Sequence, residues 1–457
     1  MTATGLKRVL GLSQVSFIAI GFTIGAGVFV FTGIAARIVG PALPLAYGLA
    51  VIPVFISMLP LAMLGSALPR TGGTYWYPSR MVSPGLAFVG VWVYVLASFF
   101  GQIPLYAIGC ARYARLFFPH LSMEGMAISI LTLFFVVNLL GVRPAAQVQG
   151  LMVILLISAL LFYSMKGISM LDRSHLESFF QRGTGNLALG VALLTFTYLG
   201  SNGIIELGEE IRDPGRTIPR ALFIAFPVVT VVYLLVSFAT VGAVPWTAFM
   251  EKEEPLLTVG RACLGRTGIR FFVLGGAILA LTTTLNALFI VGTKSLLMIV
   301  HDGMLPRSLG KVNRRFGTAH VLLTIIWGLS ILGVLTGFSL ETFATYAALG
   351  GMVIFFPVVF SSLYLPRRYP RSYEASPFKL TGFWLWFCPI TGLLTSLFLA
   401  VLLLVDLHSF PKVLFFMLFV LSGVVVFQWR KRQLMKRGID LGLVKAERPP
   451  ITGGEGP

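Results

Sequence analysis

Two stretches of this 457-residue chain put glycine where a helix would be damaged by it. Gly21-Phe22-Thr23-Ile24-Gly25-Ala26-Gly27 carries three glycines in seven residues, and Thr197-Tyr198-Leu199-Gly200-Ser201-Asn202-Gly203 sets its glycines among polar neighbours. Each lies inside a long apolar run. Glycine costs about 1 kcal/mol relative to alanine in a helix interior, and backbone groups freed at membrane depth must find partners. A helix interrupted there offers N–H groups at the start of one half, which receive an anion, and unwound carbonyls, which receive a cation. Either stretch alone reads more readily as a small-residue packing face. The pair, at corresponding positions of two spans, favours a binding site.

Other reactive residue types are dispersed. Cys110, Cys263 and Cys388 stand singly in or near apolar segments, and His120, His175, His301, His320 and His408 form no HxxxH or HExxH pair. No nucleophile–base constellation or metal-ligand cluster emerges, which argues against an enzyme and against a bound cofactor.

The elements that must carry the two breaks follow from composition. The chain is 56% hydrophobic and 11% charged, whereas soluble domains carry about 25% charged residues. Continuous apolar runs such as 127–140, 148–165, 221–244 and 413–427 exclude a barrel and specify an all-α integral membrane bundle. Runs bounded by charge, Gly and Pro predict about twelve transmembrane helices, at 13–36, 42–68, 86–118, 126–140, 147–165, 187–207, 221–244, 271–300, 320–337, 340–365, 383–405 and 413–429. The first is too long, and followed by too many others, for a cleaved signal peptide. On alternating sides of this topology, 24 of the 35 Lys and Arg fall with the termini, so both termini are expected to be cytoplasmic in a multi-pass protein of the cell membrane. The +18 formal charge is thereby a topology signal and not a nucleic-acid footprint; the tail Arg430-Lys431-Arg432 is expected to meet anionic lipid headgroups. The breaks fall in spans one and six, the interval of a five-plus-five inverted repeat.

After span six comes Glu209-Glu210-Ile211-Arg212-Asp213-Pro214-Gly215-Arg216-Thr217-Ile218-Pro219-Arg220. With Gly25-Ala26-Gly27-Val28-Phe29, Leu68-Pro69-Arg70-Thr71-Gly72-Gly73-Thr74-Tyr75, and Leu285-Asn286-Ala287 through Lys294 to Asp302-Gly303-Met304-Leu305-Pro306, it closely resembles the amino acid–polyamine–organocation (APC) transporters. The resemblance covers spans one to ten. It implies the sodium–leucine-symporter type of fold, a 5+5 inverted repeat with discontinuous helices 1 and 6 plus two extra helices, and secondary active amino acid transport by alternating access. The implied divisions are a cytoplasmic N-terminus (1–12), transmembrane repeats over 13–165 and 187–365, two further helices over 383–429, and a basic cytoplasmic tail (430–457).

Carried over residue by residue, the resemblance implies that the backbone of Gly25, Ala26 and Gly27 receives the substrate α-carboxylate, and carbonyls around Phe196, Leu199 and Gly200 the α-amino group, with Phe196 as an aromatic gate. Phe22, Thr23, Ala97, Ser98, Gln102, Asn202 and Leu288 would set side-chain selectivity. None of these is charged, so a neutral amino acid is the expected substrate. Asn202 stands where many relatives carry an acid; Glu206, one turn on, would restore cationic amino acids or polyamines if it faced the cavity. Many relatives also carry a lysine in span five, where this chain has Leu156. In its place Ala280-Leu281-Thr282-Thr283-Thr284 offers the Ala280 carbonyl and the Thr283 and Thr284 hydroxyls, which with the carbonyls of Gly21 and Ile24 would form a five-oxygen sodium site. Threonines that bond their own helix are the alternative. Sodium coupling is therefore expected, with proton coupling or amino acid exchange as the other readings. Membrane lipid is the expected surrounding, and the assembly a monomer or homodimer.

Overall fold

The computed structural model describes residues 6–25, 27–177, 179–249, 255–313, 315–338, 340–406 and 410–436. Most of them are helical, and bridge pairing among them is confined to Leu10 with Ile211 and Thr71 with Leu207. Among the described residues eight helical stretches are long and apolar enough to cross a membrane, and shorter apolar helices run over Met123–Leu139, His320–Leu335, Val353–Ser362 and Phe383–Phe398. The chain is a multi-pass membrane protein.

In order the helices are α1 (Leu12–Ile24), α2 (Gly27–Val39), α3 (Leu43–Ala67), α4 (Gly73–Met81), α5 (Pro84–Ala114), α6 (Met123–Leu139), α7 (Val142–Ser169), α8 (Gly183–Thr195), α9 (Pro214–Ala243), α10 (Pro255–Cys263), α11 (Arg266–His301), α12 (His320–Leu335), α13 (Leu340–Ser362), α14 (Phe383–Asp406) and α15 (Phe410–Lys436). Both expected breaks are present: α1 stops at Ile24 and α2 begins at Gly27, while α8 stops at Thr195 and continues only as short 3-10 turns over Phe196–Tyr198 and Ser201–Glu206. Two other spans are irregular. A π-helical stretch interrupts α5 at Val95–Gln102 and α11 at Phe272–Ile278.

Several helices outrun their apolar cores because polar end-turns carry no hydropathy signal. The expected start of span seven at 221 is corrected to Pro214, where Pro occupies the first helical position and loses no intrahelical bond. Half of the motif Glu209–Arg220, read as loop, is thus helix. Likewise α15 runs through Arg430, Lys431 and Arg432 to Lys436 instead of ending at 429, the cations lying at the negative end of the helix dipole. Residues 437–457 lie outside the described residues. The most apolar window of α11 is 83% buried and that of α15 is 11% buried, so α11 runs through the core and α15 along its outside.

Candidate functional site

The two breaks cross each other backbone to backbone. A Cβ added to Gly200 would fall on the Phe22 carbonyl and lie 2.6 Å from the Thr23 nitrogen. Only glycine permits that approach. Gly25 has a φ of 24°, and a Cβ there would fall on the Thr284 hydroxyl of α11. Beneath the crossing, the Tyr233 hydroxyl of α9 lies 2.9 Å from the Thr23 carbonyl, 3.3 Å from that of Ile24 and 3.1 Å from that of Thr197. One side chain therefore serves carbonyls freed by both broken helices.

The crossing opens onto a cavity of about 100 Å³. Among the expected site residues, Phe22, Thr23, Gly25, Gly27, Ser98, Gln102, Phe196, Leu199, Gly200 and Asn202 line it. Ala26 lies outside the described residues. Ala97 and Leu288 are not in the lining: Ala97 is buried where α5 packs against Gly350 of α13, and Leu288 is fully buried. Both are carried over from the family resemblance, which gives positions along a helix and not the rotation of that helix in this chain.

The structure adds lining residues that sequence reasoning missed. Phe31, Tyr94, Tyr106 and Thr197 join the wall, and α13 contributes Ala347, Gly351, Ile354 and Phe355; Thr284, expected at the cation site, also lines the cavity. Tyr94, Ser98, Gln102 and Tyr106 recur every four residues along α5 through its π-helical stretch. The Ser98 hydroxyl donates to Gln102 Oε1 at 3.4 Å, and Gln102 Nε2 donates to the Tyr106 hydroxyl at 2.9 Å. That spacing of polar residues in an apolar span was a readable signal; α13 offered none. The Phe31 and Phe196 rings meet 5.2 Å apart, centroid to centroid. No charged side chain lines the cavity among the described residues.

Around the expected cation site, Thr283 Oγ1 donates to the Ala280 carbonyl at 2.9 Å and Thr284 Oγ1 to the same oxygen at 3.3 Å. Gly21 packs against Thr283 and the Gln149 amide. The structure brings α1 and the α11 threonines together, with Ala280 accepting from both hydroxyls and Ile24 accepting from Tyr233.

Beyond the cavity the character changes to dense polar pairing. Glu206 is buried; Oε1 accepts from the Thr74 N–H and Oε2 from the Ser295 hydroxyl, both at 2.7 Å. Both donors are neutral. Lys294 pairs with Glu210 at 2.8 Å and Arg70 with Glu209 at 3.7 Å. Arg80, fully buried, reaches Asp302 Oδ1 at 2.8 Å through Nη2, and the Tyr75 hydroxyl donates to Asp302 at 2.9 Å. Burial pushes the Asp302 carboxyl up, but His301, Arg80 and Tyr75 together outweigh it and hold it below its ordinary value. Backbone bonds add Val9 and Leu10 N–H to the Glu210 carbonyl, each at 2.9 Å. Three motifs distant in sequence, 68–75, 209–220 and 294–306, are thus fastened to one another and to the N-terminal segment.

The family model described as amino acid permease matches residues 10–427. Relatives include a branched-chain amino acid permease, BcaP, of Bacillus subtilis (strain 168), 24% identical over 444 residues and covering 92% of both chains. A methylthioribose transporter of the same organism is 26% identical over 386 residues, covering 80% of this chain and 83% of the relative. The vacuolar cationic amino acid transporter 2 of Arabidopsis thaliana is 26% identical over 406 residues, covering 82% of this chain and 62% of the relative.

Proposed function

Since the chain belongs to the amino acid permease family of the APC transporters, we propose that it moves a neutral amino acid across the cell membrane by alternating access. The observation that carries this reading is the uncharged cavity onto which both broken helices open. The α-carboxylate would lie on N–H groups at the start of α2, around Gly25 and Gly27. The α-ammonium would lie on carbonyls near Phe196, Leu199 and Gly200. An acidic residue would be needed there to pair with a distal cation stripped of its water, and the wall offers Asn202 instead. A branched-chain permease among the relatives fits the same reading.

A five-plus-five inverted repeat within a twelve-helix bundle would account for the breaks in spans one and six. It would also account for the π-helical stretches in α5 and α11, the third and eighth spans. Both termini are assigned to the cytoplasm on the Lys and Arg distribution.

Thermal unfolding of the purified protein with each of the twenty amino acids, followed by liposome uptake of those that bind, tests the substrate class. Neutral ligands are expected to stabilise and to be taken up; stabilisation confined to arginine, lysine or amines would end the neutral reading. Sodium coupling rests on Gly21, Ile24, Ala280, Thr283 and Thr284, the two hydroxyls donating their protons to the Ala280 carbonyl and keeping their lone pairs for a shared ion. Equal uptake in sodium and in choline at fixed pH would refute it.

Proton coupling is the second reading, favoured by Glu206, a buried carboxyl one turn past Asn202 whose hydrogen-bond donors are neutral. It predicts uptake that persists without sodium, collapses with a protonophore, and in Glu206→Gln loses its pH dependence. Stimulation only by amino acid preloaded inside would instead assign exchange.

A further inference from the structure

Outside the cavity, the start of α5 and the last turns of α15 enclose a groove of about 600 Å³. It is lined by apolar side chains, Leu86 and Val89 on one helix and Val424, Phe427 and Met435 on the other, together with Gln428 and the cations Lys431 and Arg432. The groove is built and held. Phe427 packs on Phe88 with ring centroids 5.7 Å apart and lies over Gly85, where a Cβ would come within 3.0 Å of the Phe427 ring. Arg430 donates through Nε and Nη2 to the Gly303 carbonyl at 3.1 and 3.0 Å, and through Nη1 to Gln433 at 2.8 Å. Arg430 is thereby used to fix α15 against the turn after α11. Lys431 and Arg432 are exposed and have no ion-pair partner among the described residues.

We infer that this groove binds one anionic phospholipid, its phosphate on Lys431 and Arg432 and an acyl chain along Leu86, Val89, Val424 and Phe427. Val424 and Lys431 lie seven residues apart along α15, about 10 Å at the helical rise, with Phe427 between them, so the cations and the apolar wall follow one another along the helix as a phosphate and the upper acyl chain do along a lipid. A free anion would leave the apolar wall unused. A peptide would bring backbone polar groups that this wall does not satisfy. A zwitterionic lipid would carry a cationic headgroup toward two cations, so the charge favours a net-negative headgroup such as phosphatidylglycerol.

The test uses the full chain, stripped of lipid in detergent, titrated with dioleoyl phosphatidylglycerol, with dioleoyl phosphatidylcholine and with inorganic phosphate. Thermal unfolding and native mass spectrometry read binding. Phosphatidylglycerol is expected to bind and stabilise, and Lys431→Gln with Arg432→Gln to weaken it roughly 10- to 30-fold while leaving unfolding in phosphatidylcholine unchanged. Leu86→Trp, which fills the groove and keeps both cations, is expected to lose the bound lipid as well. Equal binding of phosphatidylcholine, undiminished phosphatidylglycerol binding in either variant, or the same stabilisation by inorganic phosphate alone would overturn the assignment.

Discussion

Where α1 and α8 break off, the cavity wall presents freed backbone groups beside the side chains of Thr23, Thr197 and Asn202; along α5 it presents only side chains, Tyr94, Ser98, Gln102 and Tyr106, with the apolar face of α13 beside them. The backbone side is set by contacts with no slack, such as Gly200 against Phe22 and Thr23. The α5 side is a chain of hydrogen bonds between rotatable groups, one of them as long as 3.4 Å. Groups common to every amino acid suit the first surface, and groups that differ between amino acids suit the second. On the proposed reading the freed backbone serves binding as such and the α5 side chains contribute, with Phe22, Thr23 and Asn202, to choice among ligands, and substitutions are expected to separate accordingly.

The largest effect is expected from Gly200→Ala. Its methyl would occupy the Phe22 carbonyl and force the two breaks apart, and uptake of every substrate should fall roughly 100-fold. A variant transporting one amino acid normally and another poorly would erase the distinction between the two sides. Next is Thr283→Ala with Thr284→Ala, which removes both hydroxyls on Ala280; stimulation by sodium should fall about tenfold, in liposomes with an imposed sodium gradient. Full sodium dependence in that double variant would remove the proposed site.

Gln102→Leu should alter preference among neutral amino acids by about 2- to 10-fold, the worth of one hydrogen bond, with maximal uptake retained. Tyr106→Phe removes only the acceptor of Gln102 Nε2, and a change of about 2-fold in apparent affinity is expected. A loss in either variant comparable to that of Gly200→Ala, measured by competition uptake, would put the α5 stripe on the same footing as the backbone.

The same division explains what could be read from residues alone. The backbone side was legible because glycine is costly inside a membrane helix, so Gly25 and Gly200 stand out against their surroundings. Phe31, Ile354 and Phe355 do not, since aromatic and branched residues are ordinary there whichever way they point. Ala97 and Leu288 are expected in the wall from the family resemblance and are instead buried outside the lining, Ala97 against Gly350. The apolar cores of the helices were legible from hydropathy; the polar turns from Pro214 and through Lys436 were not. Arg80 and Asp302 were visible as charges, but 222 residues separate the partners and nothing local to either names the other.

The Tyr233 hydroxyl has one proton and lies within reach of three carbonyls, two from the first break and one from the second. That one proton is shared among them: the more closely it is given to Thr197, the less is left for Thr23 and Ile24. The two interruptions, some 170 residues apart in the chain, therefore draw on a common donor, and neither can change its hydrogen bonding without altering what is left for the other. Energetic effects of substitutions in the two are expected to be non-additive in a cycle through Tyr233→Phe and additive once that hydroxyl is gone.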